Sequence, residues 1–340
     1  MKLYLLQRFS LAVLTLLVIL FVSYSLLRLA PGDPARGSLL GDEGNARNMS
    51  SEKGAFTGNR AIREKLHLDK PIITGFGLWF KAVITRGDFG SSAVVDPGKP
   101  VTQMILERLP VTLSLNFFAI LITYFAAVLI GVYAAVYADS LFDRSSAAVL
   151  FFLYSLPSMW VALLLQSLIC EGGKFPLFPL KGIVVPGGAG MSSWELLGQS
   201  MRYYALPVFC LSYAGLAGLS RYARGGMLEV IHSDYIRTAR AKGVSEFQVI
   251  WSHAFNNALI TLITLFSGLL PALITGSVII EFIFNIPGMG ALSLLALSSR
   301  DYPLFMAIFA FGSALSLAGI LISDLLYLVA DPRISLQSSR

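Results

Sequence analysis

Apolar residues in this chain gather in long uninterrupted runs, and the polar residues fall between them. Neither the short alternation of a half-buried strand nor the one-sided period of a soluble helix dominates. A hydrocarbon core takes about 20 consecutive apolar residues per helix, and six stretches reach that length: 9–29, 112–138, 146–170, 204–222, 258–284 and 303–329. The pattern predicts an all-α membrane protein with six transmembrane helices and a long loop between the first and second. It also predicts three parts: an anchor helix over 1–30, a loop over 31–111 and a transmembrane core over 112–340 that contains a polar loop at 223–257. The first run follows Lys2 and Arg8, as in a secretory signal, but it exceeds the apolar core of about 7 to 15 residues of such signals and lacks an A-x-A cleavage pattern. It is expected to remain as an anchor.

Composition agrees. Of 340 residues 55% are hydrophobic and 14% charged, against about 25% charged in soluble domains, and the mean hydropathy is +0.70. The chain has too little polar surface to face water all round, so membrane lipid is an expected partner. A net charge of +6 does not make it a nucleic-acid binder, because the basic residues are scattered among the loops instead of forming one face. They read as topology signals. With a cytoplasmic N-terminus, Lys2, Arg8, Arg144, Arg221, Arg224, Arg237, Arg240, Lys242, Arg333 and Arg340 lie inside, while the short outer loops hold only Lys174, Lys181, Arg202 and Arg300. The loop over 31–111 is longer than the roughly 60 residues over which that bias operates. Both termini are therefore expected in the cytoplasm.

Within the long loop, Gly37 to Arg60 is rich in Gly, Ser and Asn and cannot bury a core. After Pro71, residues Ile73, Phe76, Phe80, Val83 and Ile84 recur at helical spacing beside Trp79, which suits either an interfacial helix or a short packed one. Cys170 and Cys210 sit at or within apolar runs with no CxxC pair and read as packing residues. His67, His232 and His253 form no H-E-x-x-H site, and no nucleophile and base pair stands out, so no catalytic residue, metal site or bound cofactor is assigned. Asn116, Thr123, Gln166, Ser212, Thr264, Ser267 and Thr275 lie in the spans and could line a passage or hold helices together. Pro157, Pro207, Gly268 and Pro271 could mark kinks. No substrate-binding residue follows from any of them.

The polar loop between the fourth and fifth runs is the most informative segment. It reads as two short helices broken at Gly243, a residue suited to the left-handed position that ends a helix. Ser233 can cap the first helix. Ser245 and Gln248 have capping-box spacing for the second, with Val244 and Val249 at the hydrophobic-staple positions. Phe247, Ile250, Trp251, Ala254 and Phe255 then lie on one apolar face. That face needs a cover, which the membrane interface, the chain's own helix ends or a partner protein could supply.

The wording of this loop, Tyr235-Ile236-Arg237-Thr238-Ala239-Arg240-Ala241-Lys242-Gly243 followed by His253-Ala254-Phe255-Asn256-Asn257-Ala258, resembles the EAA loop of ABC importer permeases in the oligopeptide, dipeptide and nickel group. Leu29-Ala30-Pro31-Gly32-Asp33-Pro34 is similar to that group's opening signature. Asp69-Lys70-Pro71, Gly87-Asp88-Phe89-Gly90-Ser91-Ser92 and Arg108-Leu109-Pro110-Val111-Thr112-Leu113 resemble its outer-loop markers. Ile286-Pro287-Gly288-Met289-Gly290, Arg300-Asp301-Tyr302-Pro303 and Asp331-Pro332-Arg333 match its C-terminal third. Gly243-Val244-Ser245-Glu246 and Phe178-Pro179-Leu180-Lys181-Gly182 look most like permeases for microcin C and oligopeptides. Two departures stand out: Arg237 replaces the opening Glu of the general motif, as in the peptide group, and Phe255-Asn256 replaces its closing Leu-Pro.

The resemblance implies a permease of the cytoplasmic membrane, not an enzyme, carrying peptides or, alternatively, nickel chelates. A second permease subunit, ATPase subunits and an extracytoplasmic solute-binding protein would complete it. Tyr235, Arg237, Thr238, Ala239, Arg240, Ala241, Lys242, Gly243, Glu246 and His253 would form the loop that couples to the ATPase, with Arg237, Arg240 and Lys242 orienting the contact. Consistent with a separate ATPase, Gly98-Lys99 precedes Pro100 and Gly173-Lys174 precedes Phe175, so neither begins a phosphate-cradling loop. A proton-driven carrier is the different-class alternative. It would use acidic groups deep in the spans, and only Glu281 and Asp324 come close, both toward span ends.

Overall fold

The computed structural model describes residues 2–29, 69–180, 182–183, 191–258 and 277–330. Among these the chain is all-helical apart from isolated bridges between Ser91 and Pro100 and between Cys170 and Phe178. Helices α1 (Lys2–Leu29), α3 (Val101–Val136), α6 (Ser193–Ile231) and α11 (Tyr302–Ala330) each contain a stretch long and apolar enough to cross a membrane. Helices α4 (Leu141–Ser155) and α5 (Ser158–Ile169) make a fifth candidate if counted as one span, although they meet at 93°. Most of the expected run 258–284 lies outside the described residues, whose last part there is α9 (Val278–Ile283).

The expected spans are found in four or five places, but their limits move. At about 1.5 Å per residue, the 36 residues of α3 extend roughly 54 Å, well beyond a hydrocarbon core of about 30 Å. The segment Arg108 to Leu113, expected in the outer loop, is helical and carries Pro110 inside the helix. Helix α6 begins at Ser193, not near 204, because Ser192 and Glu195 form a reciprocal capping box, with Glu195 N–H donating to Ser192 Oγ at 3.4 Å and Ser192 N–H to Glu195 Oε2 at 3.0 Å. The expected single span at 146–170 is broken. Leu156 takes an extended conformation (φ −85°, ψ 125°) before Pro157, as the steric demand of a following proline favours.

The chain divides into two compact units, residues 1–111 with 288–318, and residues 112–287 with 319–340. In the first, helix α2 (Ile72–Arg86) packs on α1 through Phe76, whose ring lies 5.3 Å from Phe21 and 5.8 Å from Tyr24. It is thus a packed helix, with Ile73 and Ile84 left exposed. Val101, Met104 and Ile105 pack with Met289, Leu292 and Ala296 of α10 (Met289–Ser298) and with Leu304, Ala307 and Ile308. This packing continues the helical repeat N-terminal to the apolar run, which is why α3 starts early.

One buried carboxylate organises this unit. Asp301 is completely buried. Its Oδ2 accepts from the Ser92 hydroxyl at 2.5 Å and from the backbone N–H groups of Ala93, Val94 and Val95 at 3.0, 3.0 and 3.1 Å. Its Oδ1 accepts from Leu304 N–H at 3.3 Å, capping α11. Burying a charge is costly unless it is hydrogen-bonded, and here the donors converge on it like those of an anion-binding nest.

In the second unit, α4 and α5 pack on α6, and α9 packs on α5 and α6. Helices α3 and α6 come very close at Gly131, where a Cβ would lie 2.5 Å from Ser220 O and 2.6 Å from Ala223 Cβ. Only a residue without a side chain fits there. Gln166 donates to Ile283 O at 2.9 Å and Thr123 to Ser212 O at 3.2 Å, so these two polar span residues form interhelical bonds. Thr123 and Asn116 also line a cavity of about 220 Å³. Glu281 is completely buried and accepts from the Thr112 hydroxyl at 3.0 Å, a structural pairing. Cys170 and Cys210 are free and buried, as expected of packing residues. Thr264, Ser267, Gly268, Pro271 and Thr275 lie outside the described residues.

Candidate functional site

The loop singled out in the sequence folds as a helical hairpin at the end of α6. Helix α7 (Asp234–Ala241) leads through Lys242 and Gly243 into α8 (Glu246–Gln248), which continues as a π-helical turn over Val249–Ala254. Gly243 has φ +79°. Its N–H donates to Arg240 O at 3.0 Å, and Val244 N–H donates to Ala239 O at 3.3 Å. These two bonds make a Schellman termination, with Val244 and Ala239 in the same apolar cluster, as that motif favours. A Cβ at Gly243 would meet nothing within 4 Å, so the demand for glycine comes from the backbone conformation and not from space.

The expected side-chain caps do not form. Ser233 and Ser245 both occupy N-cap positions without a capping bond. The Ser233 hydroxyl donates backwards to Val230 O at 2.6 Å instead. At the second helix the staple is present, with Val249 buried and Val244 packed beside it, and an ion pair fixes the start in place of the capping box. Arg240 Nε and Nη2 reach the two oxygens of Glu246 at 2.8 and 3.3 Å, bridging the Gly243 turn. Arg240 is therefore committed within the hairpin, although it was expected to orient a partner. Arg237 lies 3.7 Å from Asp234 in a well-exposed pair. Among the described residues Lys242 has no ionic partner.

The cover for the apolar face is the chain itself. Ile236, Ala239, Val249, Ile250, Ala254 and Ala258 are buried against Val132 and Ala135 of α3 and Met227 and Ile231 of α6. The π turn shifts the buried side from the one expected: Val249 joins Ile250 and Ala254, while Phe247 is 70% exposed. Trp251 and Phe255 pack at the margin, their rings 5.2 Å apart. Of the ten residues expected in the site, Ala239 alone is buried, and Tyr235, Arg237, Thr238, Arg240, Ala241, Lys242, Gly243, Glu246 and His253 face outward. Tyr235 and His253 are joined through Asn257, whose Nδ2 donates to Tyr235 Oη and to His253 O, each at 2.9 Å.

Just above the hairpin, sequence reasoning missed an ion pair. Arg224 Nε and Nη2 reach Asp143 Oδ1 and Oδ2 at 2.8 and 2.7 Å, and Asp143 Oδ2 also accepts from Asp139 N–H at 3.0 Å. In the sequence Arg224 reads as a topology charge, and Asp143 is not singled out. The pairing ties α6 to the start of α4 across 81 positions, and no local pattern connects them. A bidentate Arg–carboxylate pair of this kind fixes geometry as well as charge.

Among the described residues, no group of three His, Cys, Asp or Glu could hold a metal. What the arrangement offers is a rigid, outward-facing polar hairpin fused to the ends of two long helices. Comparison with known proteins places this architecture. The oligopeptide transport system permease protein AppB of Bacillus subtilis is 34% identical over 336 residues, covering 98% of this chain and 99% of its own. The dipeptide transport system permease protein DppB of Bacillus subtilis is 32% identical over 337 residues, with 98% of each chain covered. The peptidoglycan transport system permease protein YejB of Agrobacterium fabrum is 31% identical over 360 residues, again with 98% of each covered. Residues 1–116 match the N-terminal part, and residues 127–336 the main part, of one family. With its apolar spans, its outward hairpin and this near-complete match, the chain belongs to the binding-protein-dependent transport system inner membrane components, which are transporter permeases and not enzymes.

Proposed function

We propose that this permease forms part of the pathway by which an ATP-driven importer moves peptides across the cytoplasmic membrane. The hairpin of α7 and α8 receives the motion of a separate ATPase subunit. The observation that carries this reading is the two-sided construction of the hairpin: its outer surface is polar and exposed, and its underside is one apolar cluster with the ends of α3 and α6. A push on such an element moves the helix ends with it, because packed interfaces shift as units and do not deform continuously. Tyr235, Arg237, Thr238, Ala241, Lys242 and His253 would meet the ATPase, with Phe247 as an apolar anchor. Ala239, Arg240, Gly243 and Glu246 would hold the hairpin in shape.

Peptide as substrate rests on the names of the oligopeptide and dipeptide relatives together with the sequence signatures. The exact peptide class would be set by an extracytoplasmic binding protein. In this reading there are six spans: an anchor over 1–30 and five, including 258–284, in a core over 112–340; both termini are cytoplasmic, and residues 31–111 lie outside. A second permease completes the pathway, and ATP is consumed only by the ATPase. The test is affinity purification in mild detergent, with ATPase activity measured with and without binding protein loaded with mixed peptides. Co-purification of an ATPase and a second permease, with peptide-stimulated hydrolysis, is expected. A stable chain without an ATPase partner would favour a proton-coupled carrier.

A further inference from the structure

A groove of about 680 Å³ opens between α4 and α6, beside the Arg224–Asp143 pair and toward the hairpin end of α6. That volume lies within the range of about 300–1,000 Å³ usual for small-ligand sites. Its wall is apolar, with Leu150 buried at its base and Phe151 exposed to 68% at its edge. Its polar end is cationic. Arg221 lines the groove and, among the described residues, makes no hydrogen bond or ion pair. Arg224 also lines it and gives only Nε and Nη2 to Asp143, leaving part of its five-donor fork free. Two guanidiniums against one carboxylate leave a net positive charge. Tyr154 and Tyr222, both more than half exposed, flank the opening and suit the boundary between hydrocarbon and headgroups.

We infer that this groove holds one anionic phospholipid, its acyl chain along Leu150 and Phe151 and its phosphate on Arg221 and the free side of Arg224. Charge selects the anionic headgroup. The apolar wall and the outward Val149, Phe151 and Phe152 of α4 select a lipid over a soluble phosphate. Basic pockets between membrane helices favour such headgroups. The inference rests on the membrane setting of the chain and not on peptide as substrate. Through Arg224, the lipid would brace the end of α6 that runs into the hairpin.

The test uses the transporter purified with its partner subunits, delipidated, and examined by native mass spectrometry after adding phosphatidylglycerol or phosphatidylethanolamine. Wild type is expected to retain phosphatidylglycerol in preference. Arg221→Ala is expected to reduce that retention about fivefold, the effect of one basic residue at a lipid headgroup. Gly218→Leu provides an independent variant, since Gly218 lines the groove and a Cβ there meets nothing within 4 Å. It should fill the groove and displace both lipids without disturbing helix packing. Equal retention of the two lipids, or unchanged binding in both variants, would overturn the inference. So would a photo-crosslinker at Phe151 in native membranes that captures a protein chain instead of lipid.

Discussion

The loop held by Asp301 and the hairpin turning at Gly243 are both short, irregular and flanked by helices, yet they are secured by opposite means. Residues 92–95 converge on one buried carboxylate, so their order depends on a single charged group with satisfied partners. The hairpin has no buried charge among its described residues. A Schellman turn, an exposed ion pair and an apolar underside share the work. If the hairpin moves as proposed, the comparison teaches that a fixed strut and a moving part call for different bonding. A buried charge cluster resists displacement because any movement leaves polar groups unpaired, whereas an apolar face can travel with the surface it covers.

The largest effect should come from Asp301→Ala, which strands Ser92 and the backbone N–H groups of Ala93, Val94, Val95 and Leu304. Each buried donor left without an acceptor costs about 1–3 kcal/mol, so unfolding in detergent should occur at a much lower temperature and yield should fall sharply. Ser92→Ala, which leaves the backbone donors to Asp301 paired and frees only Asp96 N–H, is expected to cost less, about 1.5–3 kcal/mol. Equal loss in the two variants would remove the distinction drawn between strut and hairpin. Next in size is Gly131→Ala, where a Cβ 2.5 Å from a carbonyl oxygen must push α3 and α6 apart. Overpacking typically costs about 1–3 kcal/mol, and here transport should fall together with stability.

Gly243→Val tests the hairpin directly. A β-branched residue at φ +79° is strained by about 1–2 kcal/mol, and uptake should drop at unchanged membrane level. Gly243→Asn, which tolerates that conformation better, should retain more transport than the valine variant; the reverse order would mean that size and not conformation matters. The smallest effect is expected from Arg240→Ala and Glu246→Ala. Their pair is partly exposed and worth at most about 1 kcal/mol, and a double-mutant cycle on stability should show weak coupling between them.

How much of this was legible in the sequence differs from element to element. Helices α1, α6 and α11 announce themselves because unbroken apolar runs have only one economical use in lipid. Their limits do not, since Val101, Met104 and Ile105 extend α3 through contacts with residues nearly two hundred positions later. Gly243 was readable because positive φ favours one residue type above all. The serine caps were misjudged because spacing permits a capping bond without compelling it, and Ser233 and the Arg240–Glu246 pair found other arrangements. Arg224 and Asp143 could not be joined by eye: each resembles an ordinary loop charge, and only the fold makes them neighbours. Asp301 was noticed for its wording, but its chemistry depends on backbone groups that have no letter in the sequence.

The π turn at Val249–Ala254 bears on how this chain tolerates a change of length. In an α-helix each residue advances the side-chain direction by about 100°, and a π turn accommodates one residue more than that winding would. Deleting a single codon within this turn would therefore let it close to ordinary α winding, with the flanking segments kept near their present facing. Single-codon deletion scans should find this stretch more forgiving than the regular helices beside it, where losing one residue turns one flank by about 100° against the other.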